Sequence, residues 1–424
     1  MHKLTYILIR TLTFPISLLP FRIIHSIGSL FGILAYHLMT KYRKRALSNL
    51  TLATGLALTE KEVIRTAKQS FQNLAINCLE YPKFSRLKKT DKIFICENPK
   101  EAQELINQGK GIIFFCGHQA NWEALFLDGT QRMPGTAIGR PIKNVYLYQF
   151  VLSIRQKFGG IMIPPKSAFK EGLRALKKGR FMGILGDQGM PESGYSSPFF
   201  GRRAYTTTIP ALLAYKSKCP IMVASVRREK GVYFIHYSDP IWPKIDRPLE
   251  EEIERMMKES LTLLEEKIKK NPGQWLWQHN RWKQETPIHL YYRFRWDSLL
   301  IILSKDTIEQ ILPHLSTFRT IFPLAFITFF VPDSYEKKIP LQDVEILPYS
   351  NEADLYVKDY RFKLVFNFTN QDRLKSHFLK QSAFEVLNEA DLHRHAREHL
   401  TLGDDLSLIL KKALTRPNTL WMKK

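Results

Sequence analysis

Hydrophobic residues crowd the start of the chain. Between residues 4 and 40 the only charges are Arg10 and Arg22, and Ile23 to Thr40 is uncharged over nearly a bilayer-spanning length. Pro15 and Pro20 interrupt the first part, and His25 and His37 the second. The basic cluster Lys41, Arg43, Lys44 and Arg45 follows at once. This pattern predicts a membrane-embedded or interfacial anchor over residues 1–45, with the basic cluster on the cytoplasmic side. A buried hairpin of core helices is the alternative. No small-residue cleavage site follows the apolar segment, so a secretory signal is not expected.

From about residue 60 to 285 the periodicity alternates between helix and strand. Thr59 to Tyr81 and Phe169 to Lys178 have helical spacing. Leu249 to Lys270 does too, with Ile253, Met257, Leu261, Leu264 and Ile268 on one side and Asn271-Pro-Gly as its stop. Ile112 to Phe115, Phe181 to Leu185, Ile221 to Val226 and Val232 to His236 read as strands. After about residue 290 a second alternation begins. Its strand candidates are Ser298 to Leu303, Phe326 to Val331 and Lys363 to Phe368, with a helix over Thr307 to Phe318. The organisation expected is an anchor over 1–45, an α/β domain over 46–288 and a smaller C-terminal α/β domain over 289–424. From residue 291 onward Gly403 is the only glycine, which excludes a phosphate-cradling glycine loop there. A Rossmann-like fragment with a structural or docking role fits that segment.

Composition changes the picture in two ways. The 63 basic and 40 acidic residues leave a net charge of +23, which favours an anionic partner or surface. The basic residues are dispersed without a recognition motif, so nucleic acid is not the expected partner. The four cysteines, Cys78, Cys96, Cys116 and Cys219, show neither pairing nor metal spacing, and no metal site is expected.

The candidate chemistry lies at Gly117-His118-Gln-Ala-Asn-Trp-Glu123, just after the apolar strand. Open α/β sheets carry their sites at that edge. Five residues of unbroken helix turn about 500°, which would point His118 and Glu123 apart. With His118 in the loop and Glu123 in the first turn of a helix, they can face each other. A carboxylate there could hold one imidazole nitrogen and leave the other as a general base. The same spacing recurs at His399 and Asp404 in a polar segment, which reads as a solvated face. Cys116 reads as a small core residue.

Several segments in order carry a resemblance. They are the His-x4-Glu unit, Gly139-Arg140-Pro141-Ile-Lys-Asn144 with Arg155 after it, Gly186-Asp187-Gln188, Pro198-Phe-Phe-Gly201, and Gln274-Trp-Leu-Trp-Gln-His-Asn-Arg281-Trp-Lys283. Together they resemble the late acyltransferases of lipid A biosynthesis, over roughly residues 1–285. Asn280 stands where that family usually has arginine. Leu299 to Val331 faintly resembles the N-terminal half of heptosyltransferases, without the glycines that nucleotide-sugar binding needs. The resemblance implies an acyltransferase-type mixed sheet flanked by helices, with N-terminal membrane-associated helices. It further implies transfer of an acyl chain from acyl carrier protein to a hydroxyl of a Kdo-bearing lipid A precursor, at the cytoplasmic face of the inner membrane. His118 would be the general base, with Glu123 fixing its tautomer, and attack would be direct, without a cofactor or an acyl-enzyme. Arg140, Asn144, Arg155, Asp187 and Gln188 would contact substrate, and acyl carrier protein, the lipid A precursor and membrane lipids would be the partners. Two alternatives stand beside it: another glycolipid or phospholipid acceptor, and an inactive membrane-attached binding protein.

Overall fold

Apolar runs of five or six residues form the middle of a seven-stranded sheet, and the amphipathic segments between them cover its faces. The computed structural model describes residues 1–89, 93–285, 287–417 and 419–421. The chain is mixed α/β. It divides into two compact units, Met1–Met39 with Gly55–Arg281, and Thr40–Thr54 with Trp282–Lys424.

The first unit contains β1 (Phe94–Cys96), β2 (Ile112–Cys116), β3 (Gly135–Ile138), β4 (Ile161–Ile163), β5 (Phe181–Leu185), the pair β6 (Ser196–Phe199) and β7 (Arg202–Tyr205), β8 (Ile221–Glu229) and β9 (Val232–Tyr237). The large sheet has the order β1-β9-β8-β2-β5-β3-β4. Every neighbouring pair is parallel except the β8–β9 hairpin. That hairpin turns on Lys230 and Gly231, both at positive φ (48° and 89°), the backbone of a two-residue loop that matches strand twist. All five residues of β2 are buried, as a central parallel strand covered on both faces requires. Because β2, β3, β5 and β8 run the same way, residues at or just after their C-terminal ends gather at one edge: His118, Arg140, Asp187 and Arg228.

The helices of the chain up to residue 270 are α1 (His2–Leu18), α2 (Phe21–Leu38), α3 (Thr40–Leu52), α4 (Glu60–Phe84), α5 (Lys100–Asn107), α6 (Glu123–Arg132), α7 (Val145–Arg155), α8 (Ala168–Lys177), α9 (Ile209–Ser217) and α10 (Leu249–Lys270). The apolar N-terminus forms α1 and α2, and α2 alone among the described helices is long and apolar enough to cross a membrane. One side of α2 lies against α4 so closely that a Cβ on Gly32 would meet the Gln72 Cα at 2.3 Å, and one on Gly28 the Ile76 Cα at 2.8 Å. The other side leaves Leu30, Phe31, Leu34 and Leu38 exposed, and α1 similarly exposes Leu4, Leu8 and Leu12.

The second unit pairs α3 with the C-terminal residues. The helix buries Ala46, Leu47 and Leu50. Lys44 donates to the Ala383 carbonyl at 2.6 Å and Ser48 to that of Arg361 at 2.9 Å. The basic segment expected to flank an anchor is therefore a helix of the C-terminal unit, and burial lowers the pKa of Lys44. The rest is a five-stranded parallel sheet of β10 (Ser298–Leu303), β11 (Phe326–Pro332), β12 (Glu345–Tyr349), β13 (Leu364–Phe368) and β14 (Glu385–Leu387), in the order β12-β11-β10-β13-β14. The helix expected over Thr307 to Phe318 is broken into Ile308–Ile311, a 3-10 turn Leu312–His314 and Ser316–Ile321. Pro313 lacks the N–H that would continue it.

Overpacking α2 tests the glycine contact. Gly32→Leu should lower stability by about 1–3 kcal/mol, because the obstacle is backbone that cannot swing away. Leu34→Ala on the exposed side should leave it nearly unchanged. Denaturant unfolding in detergent distinguishes them, and equal midpoints would contradict the packing.

Candidate active site

His118 stands in the loop after β2, and its partner comes from the loop after β5. The imidazole Nδ1 lies 2.7 Å from Asp187 Oδ1, while the His118 backbone N–H donates to Asp187 Oδ2 at 2.7 Å. The Trp275 indole N–H donates to the same Oδ2, also at 2.7 Å. Burial opposes charge on Asp187, but the imidazole and these donors outweigh it and hold the carboxyl down to about 2. Arg281, fully buried, adds positive charge within electrostatic reach while donating to the Tyr205 carbonyl and the Thr206 hydroxyl, both at 2.6 Å. On the far side of the imidazole, Gln188 Nε2 lies 3.4 Å from Nε2, and the Trp122 ring packs edge-on at 4.7 Å. The His118 side chain keeps 13% of its surface exposed, so one nitrogen is anchored and the other can be reached.

Glu123 does not make the contact expected of it. It opens α6, and Arg155 at the end of α7 donates to both its oxygens, at 2.9 and 2.5 Å. The Tyr81 hydroxyl donates to Oε1 at 2.5 Å. With both oxygens taken by these donors, Glu123 forms no hydrogen bond to His118 among the described residues, and the ring is held by Asp187 instead. The Glu123–Arg155 pair lines an apolar cavity of about 70 Å³. Its walls include Ala137, Gly183, Leu185 and Phe126. Along β5 the lining runs from Leu185 at the sheet edge to Phe181 deep inside, four residues or roughly 13 Å. There Phe181 and Tyr237 pack on Phe114, with ring centres at 5.3 and 4.6 Å.

The loop between His118 and α6 is pinned from below. Ala120 adopts a positive φ of 40°, costly for a residue with a Cβ. Asn73 donates to its carbonyl at 3.0 Å, and Asn77 donates to it as well. Arg228 in turn donates to Asn73 Oδ1 at 2.7 Å. The next residue, Asn121, donates to the fully buried Glu80 at 2.7 Å and accepts from the N–H of Glu123 at 3.2 Å. Glu80 also takes His25 of α2 at 2.6 Å and the Tyr233 hydroxyl. One carboxylate on α4 thus joins the apolar N-terminal helix, β9 and the histidine loop.

Of the other expected residues, Asn144 caps α7, accepting from the backbone of Tyr146 and Leu147 at 3.1 and 3.2 Å and donating to the His2 carbonyl. Arg140 is exposed just beyond β3, at the same sheet edge as His118. The buried Cys116 thiol donates to the Ile184 carbonyl, and burial pushes its pKa well up, unlike a nucleophilic cysteine. His399 and Asp404 stay apart in function: Asp404 pairs with Lys412 at 2.7 Å, and His399 packs on Trp421. Sequence reasoning missed Asn73, Asn77, Glu80 and Tyr81, which lie within three turns of one helix and carry no motif.

A hydrogen-bonded histidine–aspartate pair beside an apolar cavity, at the carboxyl edge of an α/β sheet, suits a transferase or hydrolase of apolar substrates. The family model for bacterial lipid A biosynthesis acyltransferases matches residues 2–284, about two thirds of the chain, and the chain belongs to that family. No individual curated protein matches closely enough to count as a relative.

Two outcomes follow from this geometry. Glu80→Ala should cost about 3 kcal/mol or more, since it strands several buried donors at once. Denaturant unfolding measures it, and a loss below about 1 kcal/mol would deny the network its role. Asp187 has a folded-state pKa below its ordinary 3.8, so its contribution is complete above that pH and lost as pH falls through about 2. The stability gap between the wild type and Asp187→Asn should therefore narrow from pH 4 to pH 2, as followed by acid-side unfolding curves.

Proposed function

We propose that the chain transfers a fatty acyl group from acyl carrier protein to a hydroxyl of a Kdo-bearing lipid A precursor, at the cytoplasmic face of the inner membrane. The observation that carries this reading is His118, with Nδ1 held by a buried, charged aspartate and the side chain partly exposed. Nδ1–H donates to Asp187, which gives Nε2 the lone pair that takes the acceptor hydroxyl's proton once the long 3.4 Å Gln188 contact gives way. The hydroxyl oxygen attacks the thioester carbonyl, the tetrahedral intermediate collapses, and the departing thiolate takes the proton back from His118. The ester forms as the thioester breaks, without a protein nucleophile or a cofactor. The tautomer-fixing role expected of Glu123 passes to Asp187. Glu123 instead neutralises Arg155 in the lining of the apolar cavity, where the acyl chain enters.

The setting agrees with a lipid substrate. The exposed apolar faces of α1 and α2 suit a bilayer or its interface. They continue onto the start of α7, where Ile142 just before the helix and Val145 and Tyr146 in its first turn are exposed, and Tyr146 packs near Tyr6. An acceptor whose tails remain in that surface can present its sugar hydroxyl to the sheet edge. Arg140, exposed there, suits an acceptor phosphate, and the net charge of +23 favours acidic acyl carrier protein and anionic lipid.

The test offers acyl carrier protein thioesters of several lengths, with a Kdo-bearing tetraacylated precursor, to membranes containing the chain, and weighs the products. A gain of one acyl group is expected, reduced about 10²-fold or more in His118→Ala and in Asp187→Asn. No gain at any chain length, from folded protein, would overturn the reading. The cavity makes a second demand. A Cβ on Gly183 would make only ordinary contact, 3.5 Å from the Ala137 Cβ, so Gly183→Leu fills space without a backbone clash. It should shift preference to shorter acyl chains in competition assays, whereas an unchanged product distribution would place the chain elsewhere.

A further inference from the structure

A second cavity opens on the other face of the large sheet. Along β8 and β9, Ala224 and Tyr237 line the apolar cavity, while their neighbours Ser225 and His236 line this one, as strand alternation requires. It has a volume of about 480 Å³ and lies against the last turn of α10, which contributes Lys267 and Lys270. The residue that joins it to the candidate active site is Gln119, next in the chain after His118.

The polar groups of this cavity are unequally satisfied. Arg227 is fully engaged, donating to both oxygens of Glu97 at 2.9 and 2.7 Å and to Glu229 at 2.7 Å. Lys267 has a neutral neighbour instead, His236 Nδ1 at 3.2 Å. Burial, and then the Lys267 charge, keep that imidazole below its usual pKa, so it serves as an acceptor. Neither Lys267 nor Lys270 has a carboxylate partner within 4 Å among the described residues. Gln119 is only 4% exposed, yet its side-chain oxygen has no hydrogen-bond partner. A buried amide oxygen left bare is costly, and native proteins pair almost all such atoms. The cavity thus holds two ammonium groups without an ion-pair partner within 4 Å among the described residues, the half-buried Lys267 and the exposed Lys270, together with a buried acceptor that lacks a donor and two carboxylates on the Arg227 wall.

We propose that this cavity binds an acidic, hydroxyl-rich sugar carried by the acceptor, with Lys267 and Lys270 on its carboxylate and the Gln119 amide accepting one of its hydroxyls. A single carboxylate matches the modest positive excess left after Glu97 and Glu229. Sugar hydroxyls supply the donors that Gln119 and those carboxylates need. A phosphodiester supplies the anion without the donors. Seated here, the sugar tethers the acceptor one residue from the imidazole that takes its proton. The identity of the acceptor rests on the acyltransferase reading, but the site itself does not.

The test is ligand-observed NMR on the full chain in detergent. The probes are gluconate (acid with hydroxyls), sorbitol (hydroxyls alone) and inorganic phosphate (anion alone). Wild type should bind gluconate in preference to the other two, and Lys267→Met and Gln119→Leu should each weaken it about tenfold. His118→Ala should bind as wild type does. Because no acyl transfer is involved, this result stands apart from the catalytic assay. Phosphate binding without gluconate binding would overturn the sugar assignment and point to the donor's phosphodiester. Equal affinity in the wild type and both variants, or no gluconate binding to folded protein, would overturn the site. Where transfer is active, Lys267→Met should raise KM for an acceptor bearing the acidic sugar and leave KM for one without it unchanged.

Discussion

The candidate site depends on a buried carboxylate at the end of a central strand. Asp187 receives the imidazole and backbone N–H of His118 together with the Trp275 indole, so one side chain joins three separate stretches of the chain. Its charge survives burial because those donors and the imidazole replace the water it loses. Remove the charge, and the histidine loop loses its link to the segment that closes the first unit. This explains why the motifs around Asp187 and Trp275, far apart in sequence, behave as one feature. Gly189, two residues after Asp187, sits so close to the Arg281 carbonyl that a Cβ would lie 2.6 Å from it, and only glycine lets the loops meet.

Much of the architecture was legible in advance. Phe181 to Leu185, Leu249 to Lys270 and Ser298 to Leu303 are read correctly from periodicity because long apolar runs and clear stops leave few alternatives. The motif order also located the loops that meet at the sheet edge. Hydrogen-bond partners were another matter. The His-x4-Glu spacing suggested a local pair, yet the imidazole turns to an aspartate 69 positions away. Local spacing says which residues can be neighbours, and tertiary packing decides which are. Glu123 could not be assigned from sequence because Tyr81 and Arg155, which claim it, approach from other helices. Asn144 belongs to a family motif and acts here as a helix cap, a task that leaves no signature distinct from ligand binding.

The two faces of the large sheet divide the labour. The apolar cavity is walled by aromatic and small residues on the α6 side, and the polar cavity by lysines and carboxylates under α10. Between them, at the edge, stands the histidine. A substrate with a hydrocarbon end and a charged end would find each environment on its own side. The Glu80 network adds a constraint from below, since the residues that pin the histidine loop also hold α2.

Helix α3 carries a different consequence, one for synthesis. It is made early, but its apolar side, with Leu47 and Leu50, is covered by the unit whose other residues begin at Trp282. About 230 residues separate the two, and ribosomes add them in roughly 10 to 50 s. For that time the helix has no native surface to rest on. A nascent chain that tethers its first helices to lipid would therefore leave a sticky, basic segment waiting beside the membrane, open to chaperones or to the anionic headgroups themselves.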